Sequence, residues 1–224
     1  MKGWPSSEAE LAAVVVAWLR DLRWEVYQEV EAYGHVADIV AVQGALLWVI
    51  ETKTSLSLRV MEQAFMWRQR AHYASVAIPR ARRASSYAMR CLNRDGIGAL
   101  EVRAPDGYTP ELSRVSEVGH AALNRRPAGK LRDKLYEQQK TYAAAGSQGA
   151  RWTPFIGTCE ELRRFVAEHP GATLKESIAS IKTHYRTPST ARSSLARWIQ
   201  AGVVQGVRCE LEGKALRLYA EGAR

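Results

Sequence analysis

The sequence has few cysteines, and they are not arranged to organise a fold. Its 224 residues include three, Cys91, Cys159 and Cys209, which are odd in number, widely spaced and without a CxxC pair. This pattern disfavours both a disulfide framework and a thiolate zinc site. It is typical of a protein in a reducing environment, so we expect a cytoplasmic location.

Long apolar runs are also lacking. The longest, Leu11–Leu19 and Ala45–Ile50, are too short to cross the hydrocarbon core of a bilayer. The N-terminus has no basic segment leading into an apolar stretch, as a secretion signal would. We therefore expect no membrane association. The composition, 46% hydrophobic and 25% charged, is that of a folded globular protein.

Basic residues outnumber acidic ones, and the formal net charge is +9. Residues 151–224 hold 12 basic and 7 acidic side chains, which is +5 of that total. A basic balance suits a polyanion such as a nucleic acid, because cations close to phosphates release condensed counterions. Solubility alone would explain the charge equally well, so charge by itself leaves both interpretations open.

Hydrophobic periodicity predicts an α/β domain in the first hundred residues. Ser6 and Ser7 can cap a helix whose apolar positions recur at helical spacing from Leu11 to Leu22, and Gln43-Gly44 is a predicted hairpin turn. The order α-β-β-β-α-β-α-β is typical of a central mixed sheet. The predicted strands are Trp24–Val30, Ala37–Val42, Leu46–Lys53, Ser75–Pro79 and Ile97–Val102, and the later helices are Arg59–His72 and Arg83–Arg94.

Residues 104–150 are predicted to connect this domain, residues 1–103, to a second one, residues 151–224. The connection would contain a charged helix over Gly129–Ala144 and a small, polar linker at Ala145–Gly149. Three helices and a hairpin around Glu212-Gly213 are predicted after it, an order that resembles a winged helix-turn-helix. Their ranges are Cys159–Glu168, Leu174–His184, Ser189–Ala201, Val203–Leu211 and Lys214–Tyr219.

Charged residues stand at the ends of two apolar strands. Glu51 and Lys53 end the run LLWVIETK and project from one face, because side chains alternate along a strand. Alone, Glu-x-Lys is weak evidence, since a solvated strand end explains it. Asp38 is the only charge in the neighbouring run ADIVAV, and a hairpin would bring it level with Glu51. Two adjacent carboxylates repel each other unless they share a cation, and oxygen ligands select Mg²⁺ or Mn²⁺.

The first helix supplies two further acids. Glu8 is in register with Leu11, Val15 and Leu19 on the stripe that faces the core, whereas Glu10 lies off that stripe. Capping explains both residues. We prefer capping for Glu10, and we predict that Glu8 belongs to the functional site.

The order of a helix with Glu, a strand with Asp and a strand with Glu-x-Lys resembles the PD-(D/E)xK nucleases over about residues 6–102. Ala37 replaces the proline of the family's name, as in many members. The resemblance implies a restriction-endonuclease-like fold and hydrolysis of phosphodiester bonds. Asp38, Glu51 and the carbonyl of Thr52 would bind Mg²⁺ or Mn²⁺.

By the same resemblance, Lys53 would orient and activate the attacking water, and Glu8 would bind the metal through water or orient the substrate. Gln63 stands where several members carry a supporting Gln, although a solvent-facing helix residue is the alternative. Glu29 is either a second acid behind the site or an edge residue.

The last predicted helix and the hairpin carry residues suited to DNA. Arginines and small hydroxyl side chains bind phosphates and base edges in the major groove, and a wing approaches the backbone. Winged helices also mediate protein contacts, which remains the alternative. The candidate DNA-binding residues are Thr190, Arg192, Ser193, Arg197, Arg208 and Lys214.

These patterns predict a metal-dependent deoxyribonuclease, acting as an endonuclease, whose second module holds duplex DNA. A catalytically inactive DNA-binding or regulatory protein on the same fold is the alternative, although all three central residues are present. RNA is less suited to the helix-turn-helix, because the deep major groove of A-form RNA does not admit a helix. A homodimer is compatible with cutting both strands, but no residue in the sequence establishes one.

Overall fold

The computed structural model describes residues 4–80, 86–104, 110–147, 149, 151–213 and 215–221. The chain forms two compact units, Met1–Trp152 and Thr153–Arg224. The boundary lies close to residue 151, where the second domain was predicted to begin. Residues 104–152 belong to the first unit.

The first unit is α/β with a mixed six-stranded sheet. Three α-helices accompany the sheet among the described residues, and their order along the chain follows the predicted one up to the fifth strand. The elements are α1 (Glu8–Asp21), β1 (Glu25–Ala32), β2 (His35–Gln43), β3 (Leu46–Thr52), α2 (Leu58–Arg68), β4 (Tyr73–Pro79), α3 (Ser86–Arg94), β5 (Gly98–Val102) and β6 (Val115–Gly119).

The strands lie in chain order, β1-β2-β3-β4-β5-β6. β3, β4 and β5 are parallel, and the other neighbours are antiparallel. The tight turn between β2 and β3 is formed by Gly44 and Ala45, one residue later than predicted, because Gln43 still pairs with Leu46. Gly44 has a φ of +57°, which glycine adopts without a steric penalty.

Alternate residues of β3 pack on opposite faces of the sheet. Trp48 and Ile50 join α1 in one apolar cluster, and Leu47 and Val49 join Trp67 of α2 in another. A strand covered on both faces explains the continuous apolar run in the sequence. Its polar end is therefore enclosed between the two helices.

The start of α1 agrees with the predicted capping. The hydroxyl of Ser7 accepts a hydrogen bond from the amide of Glu10, and the Glu10 carboxylate accepts bonds from the amide and hydroxyl of Ser6. These bonds satisfy helix-terminal N–H groups. Glu10 is thus a capping residue, and Glu8 is left to face the sheet.

Two helix predictions were wrong in the first unit. The predicted helix Arg59–His72 ends at Arg68, because His72 exchanges backbone and ring hydrogen bonds with Leu47 and leads the chain into β4. The predicted helix Gly129–Ala144 is replaced by two 3-10 helices, Leu131–Lys134 and Glu137–Lys140. Residues 83–85 of the predicted helix Arg83–Arg94 lie outside the described residues.

The predicted linker Ala145–Gly149 is bound to the sheet where the structure describes it. The amide of Ala145 donates to Gln28, and that of Gly146 donates to Glu29, both on β1. Ala145 is also buried in the cluster that contains α1. Small residues permit this close approach, so their composition marked tight packing and not flexibility.

The second unit has three helices followed by an antiparallel hairpin. Its own core contains Leu162, Ile178, Leu195 and Leu218, with residues from every element. The elements are α4 (Pro154–Glu168), α5 (Leu174–Ser180), α6 (Pro188–Gln200), β7 (Val207–Glu212) and β8 (Ala215–Ala220).

Two of these elements are shorter than predicted. α5 ends at Ser180 and not at His184, whose amide and ring nitrogen both contact the hydroxyl of the buried Thr158. β7 begins at Val207, because Gly202 and Gly206 have φ values of +70° and +79° that interrupt an extended chain.

Among the described residues, no helix has the length and apolarity needed to cross a membrane. Cys91, Cys159 and Cys209 are all free thiols.

Gly98 of β5 provides a test of the sheet packing. A Cβ atom there would lie 2.3 Å from the Ser75 hydroxyl, which accepts a bond from the indole of Trp48. We expect Gly98→Ala to lower the free energy of unfolding by about 2 kcal/mol, because the buried neighbours must move. Chemical denaturation measures this change. Gly119→Ala on β6, where the nearest contact is 3.4 Å, is the control and should change stability much less.

Candidate active site

Three carboxylates lie in a row across adjacent strands. Ile39 pairs with Ile50, so the next position outward brings Asp38 beside Glu51. On the other side, Gln28 pairs with Ile39 and Val30 with Ala37, which places Glu29 opposite Asp38. All three side chains are buried: Glu29 is 7% exposed, Asp38 9% and Glu51 1%.

Asp38 is held by the strand that carries Glu51. Its Oδ2 atom accepts a hydrogen bond from the Thr52 amide at 2.7 Å and another from the Thr52 hydroxyl at 2.9 Å. Sequence reasoning assigned Thr52 a role through its carbonyl alone. The amide and hydroxyl give it a second one, because they orient Asp38.

Glu51 is held from the opposite side by α2. The indole N–H of Trp67 donates to Oε1 of Glu51 at 2.7 Å, and the ring is 2% exposed. Oε2 of Glu51 is also buried, and it has no hydrogen-bond partner among the described residues. Burying a carboxylate oxygen without a hydrogen-bond donor costs folding free energy, so Oε2 is a candidate ligand atom for a cation.

Lys53 and Glu8 form an ion pair at the edge of the row. The Lys53 ammonium lies 2.5 Å from the Glu8 carboxylate, and both side chains are partly buried. The structure therefore brings Glu8 to the site and leaves Glu10 at the helix cap. The Lys53 amide donates to Ala77, which anchors this residue to β4.

Burial raises the pKa of each carboxyl group in the row. For Asp38 the burial outweighs the opposing bonds from Thr52, and for Glu51 it is reinforced by the Asp38 charge, so the Glu51 pKa lies well above its ordinary value. The pKa of Glu29 rises to about 7 through burial and the Asp38 charge. The row therefore resists carrying its full negative charge.

Lys53 behaves in the opposite way. Burial favours its neutral form, but the hydrogen bond with Glu8 and the nearby Asp38 charge outweigh burial, so the pKa of Lys53 is raised. It is a cation at neutral pH. A protonated ammonium can orient water and stabilise an anion, but it cannot accept a proton.

The backbone of β1 is distorted where Glu29 enters the row. Its φ is +52°, a region that residues other than glycine seldom adopt. Tyr27 and Val30 are three positions apart, which in a regular strand puts them on opposite faces, yet they pack in the same cluster. The alternation of faces therefore breaks at Glu29. Such strain persists where the surroundings impose it, and it often occurs at functional sites.

Gly146 closes the site behind Glu29. Its amide donates to Oε1 of Glu29 at 2.7 Å, and its φ is +74°. A Cβ atom at this position would lie 2.8 Å from the backbone of Glu8. The absence of a side chain therefore lets Gly146 lie against both Glu29 and Glu8.

Gln63 lies on α2 one turn before Trp67. Its Oε1 atom is buried and has no hydrogen-bond partner among the described residues. It also lines a groove with His35. Within the described part of the chain, Gln63 forms no hydrogen bond with any of the three carboxylates.

Sequence reasoning missed Trp67 and Gly146. Trp67 had a weak signal, because a tryptophan on the buried stripe of a helix needs an acceptor for its N–H. Gly146 had none, since its role depends on a contact with β1 that is distant in the chain.

The buried, unpartnered Oε2 of Glu51 bears on whether these residues suit the Mg²⁺ or Mn²⁺ that the resemblance implies. Oxygen ligands on two facing carboxylates suit Mg²⁺ or Mn²⁺, and Mg²⁺ commonly uses one or two carboxylates with water. Among the described ranges, no group of three or more His, Cys, Asp or Glu side chains is arranged to hold a metal ion. Asp38 and Glu51 offer two buried carboxylates on adjacent strands, a number that Mg²⁺ accepts when water completes its coordination.

The candidate DNA-binding residues of the second unit are exposed where the structure describes them. Arg192 is on the open face of α6, and Arg197 stacks on Trp198 at 4.6 Å. The hydroxyls of Thr190 and Ser193 bond within the helix and its cap. Arg208 of β7 pairs with Glu210 and covers the Tyr219 ring. Lys214 lies outside the described residues.

Comparison with known proteins adds no relative. Neither the family models nor the curated proteins nor the solved structures contain a match to this chain.

The raised pKa of Glu29 predicts a pH-dependent cost of folding. The folded state holds this proton more tightly than the unfolded state, so stability is greatest below the ordinary pKa and is lost as pH rises through about 7. In metal-free buffer at about pH 8, we expect Glu29→Gln to raise the free energy of unfolding on the order of 2 kcal/mol.

Denaturation at about pH 8 and about pH 4.5 measures this effect, which should largely vanish at the lower pH. Glu31→Gln is the control. Glu31 is also on β1 but forms an exposed ion pair with Arg151, so this variant should show little change at either pH. An equal gain at both pH values would contradict the assigned cause.

Proposed function

We propose that this protein is a divalent-metal-dependent deoxyribonuclease, an endonuclease with a restriction-endonuclease-like first unit of the PD-(D/E)xK type. The observation that carries the proposal is the buried pair Asp38 and Glu51, with Lys53 beside it and Oε2 of Glu51 unsatisfied. A structural role explains this poorly, because two buried acids facing each other across adjacent strands cost stability.

The residues divide the chemistry of phosphodiester hydrolysis between them. Asp38, Glu51 and the Thr52 carbonyl would hold Mg²⁺ or Mn²⁺, which lowers the pKa of bound water and stabilises charge on the phosphate. Thr52 and Trp67 fix the two carboxylates in orientation. Since its pKa is raised, Lys53 acts as a cation that positions water and stabilises the phosphate.

Glu8 has a positioning role in this proposal. Its carboxylate holds the Lys53 ammonium at the end of β3 and keeps it protonated. Glu29 is a further acid behind Asp38, and its strained backbone supports a functional reason for its burial. The assignment of Gln63 rests on the resemblance and on its buried, unpaired oxygen.

We propose further that the second unit is a winged helix-turn-helix that binds duplex DNA. Three helices and a two-stranded hairpin support this, as does the exposure of Arg192 and Arg197 on α6. An exposed helix with arginines suits the major groove. β7 and β8 would then be the wing.

Cleavage assays test the proposal directly. Plasmid, branched and single-stranded DNA are incubated with the protein in Mg²⁺ or Mn²⁺, and products are resolved on gels. We expect metal-dependent cuts at internal positions of the DNA strands. We expect Glu51→Ala or Lys53→Ala to slow cleavage at least about 100-fold.

Glu31→Ala, which removes an exposed acid of β1, is the control and should retain activity. Thermal unfolding of each variant separates loss of chemistry from loss of fold. Binding of DNA without cleavage of any substrate in either ion would favour an inactive, regulatory DNA-binding protein instead.

The salt dependence of binding tests the second unit. Each phosphate contact adds about 0.9 to the slope of log K against log salt. We expect Arg192→Ala and Arg197→Ala each to reduce that slope by about 1. Arg164→Ala on α4, where the side chain pairs with Glu161, is the control. Fluorescence anisotropy with a labelled duplex measures the slopes, and equal slopes for all variants would refute the role given to α6.

A further inference from the structure

α2 has apolar side chains on two faces. Val60, Ala64 and Trp67 form its buried face against the sheet. On the opposite face Leu58 is 77% exposed, Phe65 46% and Met66 39%. A helix that packs on one side only is normally polar on the other, so this second apolar face calls for a partner.

The exposed face continues onto α3. Tyr87, which is 69% exposed, borders a groove of about 950 Å³ between the two helices, and Met61 also lines it. Methionine and aromatic side chains, which are grouped here, are enriched in the cores of protein interfaces. All these residues belong to the first unit.

The charges at the groove indicate which class of partner fits. Arg94 and Asp95 pair with each other at 3.3 Å, so they cancel. Arg59 and Glu62 remain, one of each sign, and neither forms an ion pair with a described residue. A groove that is neutral overall does not attract a polyanion, which distinguishes it from a nucleic-acid surface.

One cation and one anion on the same helix face form a self-complementary pattern. When two copies meet across a two-fold axis, residue i of one contacts residue j of the other, and the reverse contact forms as well. Arg59 and Glu62 would then each find the opposite charge, while Leu58, Phe65 and Tyr87 are buried.

We propose that the exposed face of α2 with Tyr87 of α3 is the interface of a two-fold homodimer. The dimer would cover the outer side of the helix whose inner side holds Glu51 through Trp67. Each copy would therefore stabilise α2 of the other copy, and that helix orients the other copy's candidate site.

Sedimentation of the 224-residue chain at about 1 to about 100 µM tests the interface. We expect a dimer whose dissociation constant rises at least about tenfold in Phe65→Ser. Leu211→Ser, at a 74% exposed leucine of the second unit, is the matched control and should leave dimerisation unchanged. Thermal unfolding confirms that each variant is folded.

Charge reversal makes the test specific. Arg59→Glu and Glu62→Arg should each weaken the dimer at least about tenfold, and the double variant should return to near the wild-type dissociation constant. A chain that is monomeric at every concentration overturns the proposal, as does a dimer that is insensitive to Phe65→Ser or a double variant without rescue.

Binding of a labelled single-stranded oligonucleotide distinguishes the other class of partner. If Phe65→Ser weakens this binding and leaves the oligomeric state unchanged, the groove is a nucleic-acid surface and the dimer interface is refuted.

Discussion

The burial of Asp38 beside Glu51 is the constraint that organises the first unit. Loss of hydration on burial raises the pKa of both carboxyl groups, and the Asp38 charge raises that of Glu51 further. Their partners come from several elements, because no single strand can satisfy them. Thr52 supplies two donors from β3, and Trp67 supplies one from α2.

The same constraint explains the placement of α1 and of residues 145 and 146. Glu8 at the start of α1 holds Lys53, whose positive charge lies beside the acids. Gly146 donates its amide to Glu29 and contacts the backbone of Glu8. Elements distant in the chain therefore converge on one edge of the sheet, and what joins them there is polar contact with the buried charges.

Much of the fold could be predicted because it depends on local pattern. The order of helices and strands along the chain up to β5, the hairpin level of Asp38 with Glu51, and the different positions of Glu8 and Glu10 follow from alternation, helical periodicity and capping. The three helices and hairpin after residue 153 were predicted for the same reason. These features require no knowledge of distant contacts.

The errors occurred where tertiary contacts override local preference. His72 exchanges bonds with Leu47 and ends α2 early, and residues 129–144 fold as 3-10 turns beside β1, not as a helix. Glu29 was recognised as an acid of uncertain place, because its left-handed backbone and its contact with Gly146 are visible only in three dimensions.

α2 links the chemistry to the surface of the first unit. Its inner stripe fixes Glu51 through a single indole hydrogen bond, so rotation or fraying of the helix would misplace that carboxylate. The helix has no side-chain hydrogen bond at its N-cap, Ser57, and it ends at Arg68, where the chain turns towards β4. Its position therefore depends on side-chain packing. A partner on its exposed apolar face would add contacts where the helix has few, which makes the outer surface relevant to the geometry of the buried acids.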